Sequence, residues 1–228
     1  TWRADLTQPA DLVEEVLRLE GYDTIPSTLP PAPAGRGLTE QQRRRRTVSR
    51  ALAENGFVEV KPFPFVAPSV FDALGLPEGD VRRNTVSVLN PLESDKHALA
   101  TTLVPGLLEA VQRNLARGQK DLAVYTIAQV TLPRTQQVPV PKVGVGERPS
   151  DAQVASLLAA LPQQPVHVAA VLAGHREQAG WWGKGRQADW ADAVQAARLV
   201  GQAYGVELTA VASDLAPWHP GRCAELRV

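Results

Sequence analysis

The sequence predicts an α+β fold, with an antiparallel sheet flanked by helices. Two observations carry this. Strand-like runs are separated by loops or by helices of varied length, not by the regular βα alternation of a doubly wound sheet. One long helical pattern, residues 39–55, runs through a single glycine into the strand-like FVEVKPFPFV. Composition bounds the rest. A hydrophobic fraction of 44% over 228 residues suffices for a sizeable core. The 24 basic and 24 acidic side chains balance, so the surface as a whole does not advertise nucleic acid. The lone cysteine excludes an internal disulfide framework and fits a reducing cytoplasm. No apolar run approaches the ~18 residues of a membrane span, and no signal peptide is recognisable. With no methionine and abrupt ends, the chain is expected to be a fragment of a longer one.

In chain order, residues 1–6 read as the end of a strand. Pro9 suits the first turn of a helix that runs to Glu20 and is stopped by Gly21. Leu12, Val13, Val16 and Leu17 form its apolar stripe. Asp11, Glu14 and Glu15 gather on the opposite face, and Glu14 can pair with Arg18. Residues 25–37, with four prolines and two glycines, read as a stiff linker. The domain boundary is expected there, between residues 1–35 and 36–228. Thr39 and Gln42 then form a capping box for the long helix. Only the second half of that helix has an apolar face: Val48, Ala51 and Leu52. Gly56 ends it, and a strand is expected over 57–66.

Residues 68–75 read as a short helical turn and 85–89 as a strand ended by Asn90-Pro91. Thr101 or Thr102 starts a helix whose core face is Leu107, Leu108, Val111 and Leu115, ended by Gly118. A long strand follows at 122–132. Residues 134–148 read as a surface excursion, 151–161 as a short helix and 166–174 as a buried strand. Trp181 and Trp182 fall in a loop, read as a lid over the sheet more than as a base-stacking pair. Asp189 caps a helix on which Trp190, Val194, Ala197 and Tyr204 share a face. Two more strands, 206–213 and 224–228, flank PWHPGRC.

Several segments resemble one family. DLVEEVLRLEGYDTIPSTLP, VLNPL, TLVPGLLEAVQRNLARG and HPGRCAEL look like the β subunit of bacterial, actinobacterial-type, phenylalanyl-tRNA synthetase. The resemblance covers nearly the whole chain. It implies a class II aminoacyl-tRNA synthetase-like module without class II chemistry, preceded by a short helical remnant of a winged-helix-like module. It also implies a partner, the catalytic α subunit, in an (αβ)₂ tetramer that uses ATP to aminoacylate tRNA(Phe) in the cytoplasm. ATP is used by α and not bound here.

The pattern of residues alone favours a solvated helix face for Asp5, Asp11, Glu14 and Glu15. The resemblance assigns this quartet to a weak Mg²⁺ site, because its spacing matches the family's acidic motif at every position. In class II synthetases a long helix feeding a strand makes the dimer contact. The resemblance therefore places the α-subunit interface at Thr39, Arg43, Arg44, Arg45, Arg46, Phe57 and Val60. An alternative is a tRNA-binding module using the winged-helix-like piece and Arg43 to Arg46.

Adenylation needs cationic side chains around the triphosphate. Tyr125 to Gln129 carries none, and Ala100 stands where β subunits often have arginine. Catalytic residues are therefore expected to be none. Gly144 to Arg148 only faintly resembles an ATP-gripping signature and reads as a surface turn. His219 and Cys223 lack a third group for nucleophilic chemistry.

Overall fold

Proline at the first turn and glycine after the last bound the first helix, α1 (Pro9–Glu20). The structure, a computed structural model, describes residues 2–31, 34–35, 37–134 and 139–228. It separates into two compact units, Thr1–Thr39 and Glu40–Val228.

In the first unit, Gly21 takes φ 100° and its N–H bonds Leu17 O, closing α1. A single 3₁₀ turn, Tyr22–Thr24, follows. The strand expected at the start is not formed by residues 2–6; Leu6 N–H instead turns back toward Arg3 O. The apolar stripe of α1 is present but uncovered: Leu12 and Val13 are each 57% exposed and Val16 52%. Periodicity identifies an apolar face, not what lies on it, and among the described residues of this unit the 3₁₀ turn is the one other regular element.

The second unit opens with α2 (Glu40–Glu54), whose Val48 and Leu52 are buried. Gly56, at φ 79°, turns the chain out of the helix. The expected strand 57–66 forms only at its ends, as β1 (Val58–Glu59) and β2 (Phe65–Val66). Pro62 and Pro64 supply no N–H, so the ladder breaks between them. α3 (Val70–Ala73) follows. Residues 85–89 make only ribbon contacts beside β3 (Ala98–Leu99), with Val88 N–H to His97 O and Leu99 N–H to Val86 O. Next come α4 (Val104–Ala116), β4 (Leu122–Gln129), α5 (Asp151–Ala160) and β5 (Val166–Ala173). β6 (His175–Glu177) and β7 (Arg186–Gln187) make a hairpin whose loop carries the tryptophans. α6 (Trp190–Tyr204) and the ribbon β8 (Thr209–Ser213) with β9 (Cys223–Arg227) complete the unit.

The fold is α+β, but the central sheet is mixed. Its order is β1-β4-β5, with β1 parallel to β4 and β4 antiparallel to β5. Strand alternation sends Tyr125 and Ile127 to one face and Val124 to the other. On the first face they pack with Val48 and Leu52 of α2, Phe57 and Ala196 of α6. On the second, Val124 packs with Leu107 and Val111 of α4. Leu108 and Leu115, expected inside, remain 40% and 45% exposed. The inward side of α6 is Ala196, Val200 and Ala203, not the predicted stripe; Trp190 is exposed because the small residues are what fit against α2.

Candidate functional site

The first unit holds the acidic quartet, and every member already has a partner. Asp5 accepts from Arg3 (Nη2 to Oδ2, 2.7 Å), and Arg3 also reaches Glu15 at 2.9 Å. Arg18 takes the other oxygen of Glu15 at 3.0 Å, so Arg18 pairs with Glu15 rather than Glu14. Asp11 accepts from the backbone N–H groups of Gln8 (2.7 Å) and Thr7 (2.8 Å), which makes it the acid that closes the helix start. Glu14 accepts from the Tyr22 hydroxyl at 3.2 Å. The Arg3 hydrogen bond holds the Asp5 carboxyl below its ordinary pKa, and Arg3 then Arg18 do the same for Glu15. Asp11 is lowered first by the Gln8 N–H and then by Thr7.

A hard cation needs several carboxylate oxygens turned to one point. The donor chemistry is right, but here the charges are met by arginines and backbone donors. Among the described residues no three His, Cys, Asp or Glu side chains gather to hold a metal. The quartet as placed does not fit a bound Mg²⁺.

The second unit holds the expected interface residues. Thr39 stands just before α2, and Arg43 to Arg46 fill its first turns, all exposed. The arginines are not simply a solvated run. Arg44 pairs with Glu40 and lies over the Tyr204 ring, 5.5 Å from its centroid. Arg45 donates to Ile127 O at 3.0 Å, fastening α2 to the sheet. Phe57 is only 5% exposed, under the Arg176 guanidinium, so it seats α2 on the sheet and offers nothing to a partner. Val60, half-buried, lines a groove of about 520 Å³ between the β1–β2 connection and α4.

A second cleft, of about 920 Å³, lies along β5 under Trp190 and Trp218. Its lining is almost wholly apolar. The ionisable side chains on it are His167 and Asp189, and Asp189 already accepts from Ala191 N–H at the start of α6. Among the described residues neither lysine nor arginine lines it.

Residues 25–228 match the family model described as the phenylalanyl tRNA synthetase beta chain CLM domain. This chain belongs to the phenylalanyl-tRNA synthetase β-chain family. It is 57% identical over all of its length to the phenylalanine–tRNA ligase β subunit of Streptomyces avermitilis and 59% to that of Nocardia farcinica. It spans 27% of the length of either relative. Among solved structures, pyrrolysyl-tRNA synthetase from Desulfitobacterium hafniense aligns with 90% of this chain and 57% of its own, at 16% identity and TM-score 0.47, a likeness too loose to fix a shared fold.

Other motifs take quieter places in this member of the family. Trp181 and Trp182 are 94% and 67% exposed, edge to face at 5.8 Å, and form no lid. Gly144 to Arg148 lies in a loop without helix or strand. Cys223 is a free thiol beside Leu215 O, and His219 Nδ1 faces Pro220 O, so the two form no nucleophilic pair. No helix among the described residues is long and apolar enough to cross a membrane. The capping role of Asp11 was missed in the sequence because Gln8 is an uncommon cap; the acid three residues after it was the available signal.

Proposed function

We propose that this chain is a structural, non-catalytic module of a phenylalanine–tRNA ligase β subunit. In this reading it assembles with an α subunit that carries out ATP-dependent aminoacylation of tRNA(Phe), as an (αβ)₂ tetramer in the cytoplasm. The observation that carries the non-catalytic part is the apolar cleft along β5. An adenylating site must neutralise a triphosphate and the charge that develops on it. A cleft whose ionisable groups, among the described residues, are His167 and a capping aspartate already engaged with the backbone supplies nothing for that.

The partner contact is drawn to the exposed outer side of α2, with Arg43 and Arg46, and to Val60. Arg44 and Arg45 face their own chain, which speaks against a free arginine comb gripping tRNA phosphates. The test is phenylalanine-dependent ATP–pyrophosphate exchange by highly purified full-length β subunit, alone and after adding α. Exchange is expected only in the complex. Exchange by β alone would overturn the non-catalytic role, and failure of β to assemble with α would overturn the partner.

A further inference from the structure

The groove beside Val60 carries an inference beyond that assignment. Its walls are the β1–β2 connection, the loop around Leu92 and one side of α4. They are held rigidly. Val60 N–H bonds Tyr125 O at 2.8 Å, and Gly106 lets α4 approach so closely that a Cβ there would sit 2.8 Å from Pro62 Cβ.

On the lip stand two large apolar side chains, Phe63 at 81% exposed and Leu92 at 92%. Contiguous exposed apolar groups rimmed by charge mark interaction sites. The charge is unbalanced. Lys96 is shared between Glu109 at 3.3 Å and Glu93 at 3.7 Å. Arg113, in the last turn of α4, and Arg117, just past its end, line the same groove, and among the described residues no carboxylate pairs with either. A cationic pair beside an apolar lip fits an acidic chain with an apolar side chain.

We propose that this groove seats an acidic, extended segment of the α subunit. An apolar side chain of that segment rests between Phe63 and Leu92, and its carboxylates meet Arg113 and Arg117. The proposal rests on the reading that α is the partner and adds the seat and its chemistry.

The test uses full-length β subunit assembled with α. Leu92 is replaced by a photo-crosslinking phenylalanine derivative and the crosslinked peptides are identified by mass spectrometry. In parallel, the affinity of Arg113→Glu/Arg117→Glu for α is measured across salt concentrations, with Arg198→Glu as control. Crosslinks to an Asp/Glu-rich stretch of α are expected, with at least a tenfold weaker complex for the double variant and a flatter salt dependence. Arg198→Glu should match the parent. These side chains are exposed, so circular dichroism should report an unchanged fold; Phe63→Ala, which leaves the charges in place, should also weaken the complex. An intact complex whose crosslinks stay within β, or reach only a segment without acids, overturns the groove assignment and leaves the α partnership standing. Inorganic phosphate binding at Arg113 and Arg117 with no loss of α affinity in the variants would make it an anion site and also overturn it. Absence of any complex overturns the partnership itself.

Discussion

The Tyr125 hydroxyl offers a test of how α2 is fastened to the sheet. Tyr125 is 1% exposed, in the centre of β4. Its hydroxyl donates to Ser49 O at 3.0 Å. Having one proton, it must then accept at the 2.8 Å contact from Ser49 Oγ. Tyr125→Phe keeps the ring in its packing site and deletes both bonds. Ser49 O also serves the helix ladder, and Ser49 Oγ is half-buried and can turn to a backbone carbonyl, so neither group is left fully stranded. The loss is therefore about 1–2 kcal/mol. For a chain of this size each kcal/mol lowers Tm by roughly 2–4 °C, which calorimetry reads easily. Ser49→Ala leaves the bond to Ser49 O and should cost less, about 0.5–1 kcal/mol. The double variant should cost less than the two single losses together, because they share one contact. A Tyr125→Phe loss below about 0.5 kcal/mol, or a Ser49→Ala loss larger than it, would refute this account.

Three more outcomes are expected. Arg45→Ala, which removes the donor to Ile127 O, should lower unfolding stability by about 1 kcal/mol, while exposed Arg46→Ala should change it by less than ~0.5 kcal/mol in denaturant titrations. Asp80 is held down to about 2, chiefly by the Arg82 side chain, which also bonds Ala216 O. Since its folded value lies below the unfolded ~3.9, its stabilisation is complete above pH 4 and lost as pH falls toward 2. About 1–2 kcal/mol should disappear in that window, and Asp80→Asn should flatten it. Mg²⁺ titration should leave the amide shifts of α1 without a saturable response. A saturable response abolished by Glu14→Gln/Glu15→Gln would show that the Arg3 bridge opens to metal.

What the sequence made legible is local. The helices of the second unit were readable where an apolar period and a terminal signal coincide, as with Val48, Leu52 and Gly56 in α2 or Asp189 in α6. The unbroken apolar run of β5 was equally plain. The expected strand 57–66 breaks in the middle because alternation takes no account of Pro62 and Pro64, which have no N–H to pair. The inward face of α6 differs from the expected one because periodicity favours large residues over Ala196 and Ala203, whereas the close pair α2–α6 selects small ones. In the candidate sites, residue types gave away the arginine run and the acids, but not their pairing. Arg3 lies too far from Glu15, Tyr22 from Glu14 and Tyr204 from Arg44 for any spacing rule to reach them. Phe57 looked like an interface aromatic because a strand after a helix shows which residues alternate, not which side will be covered.

The parallel pairing of β1 with β4 has a kinetic consequence. Val58 meets Val124 and Glu59 meets Tyr125, across a stretch that contains β2, α3, β3 and α4. Parallel neighbours cannot be joined by a tight turn, and closing so long a loop costs entropy before any ladder bond repays it. The two-residue strand β1 is too short to recruit β4 by itself. Its docking is therefore expected to follow the packing of α4 on β4 and of α2 on Tyr125. During synthesis α2 leaves the ribosome well before its sheet exists. Until β4 follows, Val48 and Leu52 stay open to solvent, which makes the half-made chain, rather than the finished one, the form most in need of a chaperone.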